Sequence, residues 1–96
     1  MDRLSDDVRK LMNIMETSMT TDDIFFHATN QIARQLPRLQ RLRQAEERPG
    51  QFNEEVAEMA ILVAMLRDIG GVPDFMISDK MSELINEANS NHRRNR

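Results

Sequence analysis

Residues 24–45 of this 96-residue chain carry four arginines, Arg34, Arg38, Arg41 and Arg43, and no acid. The first three step by four and three, which places them on one face of a helix. A row of guanidiniums along a helix can track phosphates, and arginine does so with bidentate geometry. A dimer laying two such rows across a duplex RNA or DNA backbone is therefore one function the chain can have. The competing reading is neutralisation within the chain. If the chain turns back between Pro49 and Gly50, residue i faces roughly residue 99 − i across a helical hairpin. Arg41 then meets Glu58, and Glu54 and Glu55 lie beside Arg43 and Arg48. Arg34 falls near Met65 instead and keeps its charge.

Little else in the sequence is equipped for chemistry. His27 and His92 are the two imidazoles, far apart and each without a second His or a Cys at ligand spacing, so no metal site is expected. The acid pairs Asp6/Asp7, Asp22/Asp23, Glu46/Glu47 and Glu54/Glu55 are sequence neighbours that diverge on a helix, and no general acid and base emerge from them. Gly70-Gly71 lacks the Lys and Ser/Thr of a phosphate-cradling loop and reads as a helix stop. The expectation is a protein that is not an enzyme, with no catalytic residues, no cofactor and no small-molecule substrate.

Charge is segregated along the chain. Residues 1–23 hold three basic and six acidic groups, and residues 24–45 hold four arginines and no acid. Residues 46–92 hold three basic and ten acidic groups, followed by the basic tail Arg93-Arg94-Asn95-Arg96. The net charge of −3 thus conceals one basic helix and one basic terminus. There is no cysteine, which removes disulfide and thiolate chemistry. No apolar core follows a basic start, so the expected location is intracellular and cytoplasmic, without signal peptide or transmembrane segment.

The elements that carry these residues are read from apolar periodicity. Met59-Ala60-Ile61-Leu62-Val63-Ala64-Met65-Leu66 is an uninterrupted apolar run of eight, far short of the about 20 needed to span a bilayer. As a helix it is apolar on every face and must be covered all round. Phe52, Val56, Met59, Ile61, Leu62, Val63, Met65 and Leu66 are accordingly the expected dimer or partner interface. Met12, Met15 and Met19, with Phe25 and Phe26, form a possible second docking face, because flexible thioethers suit adaptable surfaces as well as irregular cores.

Four helices are expected. The first follows Ser5 as N-cap, with Leu4, Val8, Leu11, Met15 and Met19 in one stripe and Met12 alongside. The second starts at Thr20 or Thr21 and runs to about Glu47, with a kink near Arg34–Pro37 or a break into two helices there, the uninterrupted stripe favouring the kink. Arg48-Pro49-Gly50-Gln51 is the turn, the third helix covers 52–69, and Val72-Pro73-Asp74-Phe75 is an extended connector. The last helix runs from Ser78 or Asp79 to about Asn89, with Ile77, Met81, Leu84, Ile85 and Ala88 apolar. The fold expected is an all-α bundle built on a long antiparallel hairpin and completed by dimerisation. It forms one domain, 1–90, with a disordered basic tail, 91–96.

Thr21-Asp22-Asp23-Ile24 opening a long helix, and Leu66-Arg67-Asp68-Ile69-Gly70-Gly71-Val72-Pro73 closing the next, resemble the punctuation of the TraM-type antiactivators of quorum-sensing regulators. That resemblance implies a short helical hairpin and is confined to these two segments; residues 74–96 have no counterpart in it. The function expected from the residues is a non-enzymatic interaction module, a regulator, antiactivator or adaptor. It would self-associate or dock one protein partner through the 52–69 helix. Nucleic-acid binding by the Arg stripe is the alternative.

Overall fold

A computed structural model describes residues 3–45 and 49–94. Among them are four helices and no strand: α1 (Arg3–Met15), α2 (Thr21–Ala45), α3 (Pro49–Gly70) and α4 (Asp74–Arg94). The all-α architecture built on an antiparallel hairpin is as the periodicity predicts, and the corrections concern boundaries and facing residues.

Helix α2 opens on a reciprocal cap. The Asp23 amide donates to the Thr20 hydroxyl at 3.1 Å, and the Thr20 amide donates to the Asp23 carboxylate at 3.3 Å. Aspartate thus does the work usually given to glutamate in this motif, satisfying two amides that the helix itself cannot pair. Pro37 lies within α2, which continues through it rather than splitting into two helices.

The hairpin turn sits earlier than Pro49-Gly50. Proline is tolerated in a first helical turn, where its missing N–H has no acceptor to serve, so α3 already begins at Pro49. The residues between the two helices, Glu46, Glu47 and Arg48, lie outside the described residues. The register follows. Arg38 meets Glu55 at 3.3 Å and the Gln35 amide donates to Glu58 at 2.9 Å, so facing residue numbers add to 93. Arg41 is consequently not the partner of Glu58.

Helix α1 starts at Arg3, so Ser5 lies inside its first turn instead of capping it. It packs on α3 with Val8 and Met12 as its buried residues, while Leu4 and Leu11 from the expected stripe keep more than a third of their surface exposed. Arg9 reinforces this contact, donating to Asp68 at 2.8 Å and also to Asn13 and Glu16 on its own side. The core is Val8, Met12, Ile24, Ala28, Leu62 and Met65, with Met15, Met19, Ile32, Leu66 and Ile69 packed around it. Among the described residues it is contributed by α1, α2 and α3.

The C-terminus of α3 is a Schellman motif. Gly71 has φ 62°, a left-handed conformation that suits glycine. The Val72 amide returns to the Arg67 carbonyl and the Gly71 amide to the Asp68 carbonyl, both at 3.2 Å. Arg67 then bridges the joint, donating to the Val72 carbonyl at 3.1 Å and pairing with the Asp74 carboxylate in the first turn of α4. With the chain turned and clamped here, α4 begins at Asp74, so the connector is shorter than predicted. At its other end α4 continues through residues 91–94, which were expected in the tail; 95–96 lie outside the described residues.

Candidate interaction surface

The apolar run of α3 divides by face. Leu62 and Met65 are buried in the monomer core, and Phe52, Met59 and Leu66 are half-buried. Val56, Ile61 and Val63 remain on the outside, Val63 with 52% of its surface exposed. The expected all-round demand for cover is thus partly met within the chain: α2 and α1 pack on α3 and leave one strip, with the exposed Ala57 and Ala60 between the larger residues.

The proposed second face divides in the same way. Met12 is fully buried and Met15 and Met19 pack against the core, so all three serve the interior of the monomer. A short, aromatic-poor core gains from unbranched side chains that fit irregular space. Phe25 and Phe26 stay exposed, edge-to-face at 5.7 Å between ring centroids.

The arginines are split as well. Arg38 is paired with Glu55, and the Arg43 guanidinium lies 5.8 Å over the Phe52 ring. Arg34 and Arg41 are exposed and have no ion pair among the described residues. Exposed pairs of this kind contribute only about 0–1 kcal/mol, so the stripe is held more by α2 than by its partners. His27 is exposed. Among the described residues no three His, Asp or Glu side chains come together at metal-ligand distance, and no helix is long and apolar enough to cross a membrane.

The largest uncovered apolar surface lies where no role is expected from the sequence. Every residue of α4 from Asp74 to Asn91 is exposed, and Phe75, Met76, Ile77, Met81, Leu84 and Ile85 keep between 40 and 66% of their surface open. A shallow apolar groove of about 350 Å³ runs along this helix, lined by Val72, Met76, Ile77, Lys80, Met81 and Leu84. Helical stability in proteins comes mostly from packing of an apolar face, and Ser78, Asn86, Asn89, Ser90 and Asn91 are weak helix formers. The signal for α4 is present in the sequence as the 4-3-4 spacing of Ile77, Met81, Leu84 and Ala88. What the sequence does not reveal is that the core closes without it.

Comparison of the chain with models of protein families, with characterised proteins and with solved structures returned no match.

Proposed function

We propose that the protein is a non-enzymatic interaction module of the regulator or adaptor type, which works by burying its own apolar helical surface against another chain. The observation that carries this is α4: a helix whose large hydrophobes are all uncovered, joined to a three-helix core through the Gly71 turn and the Arg67–Asp74 pair. The surface differs from the one expected in the sequence. Helix α4 supplies most of it, with Val56, Ile61 and Val63 of α3 as a second strip, and the remainder of the apolar run in the interior. Exposed apolar surface of this extent marks interaction sites in soluble proteins.

The test pairs light scattering with affinity capture, comparing the native chain with a Met81→Glu/Leu84→Glu variant. Both positions are exposed, so the variant keeps its core. The expected outcome is an association, to itself or to a partner, that the native chain shows and the variant loses, and that persists in high salt. A variant retaining every interaction of the native chain refutes the proposal.

A second reading is favoured by Arg34 and Arg41, whose guanidiniums are open to solvent on one side of α2. Titration with duplex RNA at two salt concentrations addresses it. Phosphate contacts weaken steeply as salt rises, whereas apolar docking does not.

A further inference from the structure

We infer that the occupant of the α4 face is α4 of a second copy, paired antiparallel about a two-fold axis between Ser82 and Glu83. This rests on the interaction-module reading and names its partner.

Ile77, Met81, Leu84 and Ala88 recur at the heptad spacing of a two-stranded coiled-coil seam. Of the groove's lining, Ile77, Lys80, Met81 and Leu84 stand at i, i+3, i+4 and i+7, the four corners of a hole that receives one knob from a facing helix. In an antiparallel pair whose facing residues add to 165, Leu84 and Ile85 of the second copy arrive at that level. Met81 meets Leu84 and Ile77 meets Ala88 in successive layers.

The charges beside the seam choose the direction. Lys80 and Glu87 are seven residues apart and flank the same side of it. Antiparallel pairing brings Lys80 of each copy next to Glu87 of the other, giving two equivalent ion pairs across the axis. Parallel in-register pairing sets Lys80 beside Ile85 of the other copy instead, with no charge to meet. Within one chain Lys80 binds Glu83 at 2.6 Å, an exposed contact that leaves Glu87 without an ion pair among the described residues.

The chain has no cysteine, so single thiols can be placed at will. Ile77→Cys and Ala88→Cys chains are prepared separately, mixed, and treated with a short thiol cross-linker, with mass measured by light scattering beforehand. Antiparallel pairing predicts a cross-linked dimer in the mixture and little in either chain alone, because identical positions lie about 16 Å apart along the axis. Cross-linking of each chain with itself would show parallel pairing and overturn the proposal. A dimer that cross-links in neither arrangement uses another face and overturns it while leaving self-association intact. A monomer at all concentrations overturns it too, and the capture experiment above then decides separately whether α4 docks a different protein. A charge test reads the same register without thiols: Lys80→Glu lowers dimer affinity several-fold, and Lys80→Glu/Glu87→Lys restores it.

Discussion

At the scale of single residues, Leu62 and Val63 show how sharply the chain divides its apolar content. They are neighbours in an unbroken hydrophobic run, yet Leu62 is buried against α1 and α2 while Val63 is half open to solvent. Leu62→Glu is therefore expected to abolish cooperative folding, since an unpaired charge in a small core costs several kcal/mol. Val63→Glu should change the urea midpoint little, within about 0.5 kcal/mol of the native protein. Equal destabilisation by the two would mean that α3 is not oriented as described. This division is not legible beforehand, because eight apolar residues in succession carry no periodicity from which a face can be chosen. Ile24 was missed for a related reason. It is fully buried, but the adjacent Phe25 offered an equally regular stripe through Ala28 and Ile32.

At the scale of elements, the helix ends were legible where a specific bond needs a specific residue. Thr20 with Asp23, and Gly71 after Asp68 and Arg67, announced their boundaries because few side chains satisfy those amides and carbonyls. Proline is an ambiguous signal, since it suits both a turn and a first helical turn. Pro49 marked a turn in the sequence but serves in the first turn of α3, and that difference moved every facing pair of the hairpin. Two substitutions check these ends. Thr20→Ala removes the α2 cap and should cost about 1 kcal/mol in chemical denaturation. Gly71→Ala meets no neighbouring atom, yet it forces an alanine into a left-handed backbone, with an expected cost of about 1 kcal/mol or more. Were Gly71→Ala neutral in denaturation, the joint between α3 and α4 would have to be differently built.

At the scale of the whole molecule, the three-helix core and α4 stand in different energetic positions. The core holds six buried hydrophobes, and every described residue of α4 through Asn91 faces solvent. The extents of 55 × 38 × 24 Å reflect a helix that leaves the hairpin instead of folding back on it. The candidate surface was only half legible for this reason: amphipathic spacing identifies a face that wants cover, but whether the same chain supplies the cover depends on the direction in which a joint sends it. Arg67 and Gly71 set that direction. If α4 is stabilised by association, dilution should reduce far-UV helicity while the near-constant core signal persists. Helicity independent of concentration would count against that coupling.

The methionines sort themselves along the same line. Met12 and Met65 are sealed in the core, whereas Met76 and Met81 stand open on α4. Mild peroxide should therefore convert Met76 and Met81 to sulfoxides first, readable by peptide mass spectrometry, before the core sulfurs react. Each added oxygen turns a soft apolar contact into a polar one on the very face that has to be dry when covered. Oxidation-prone sulfurs thus lie on α4 and shielded ones in the core, and oxidant exposure is expected to weaken the association proposed for α4 while sparing the core.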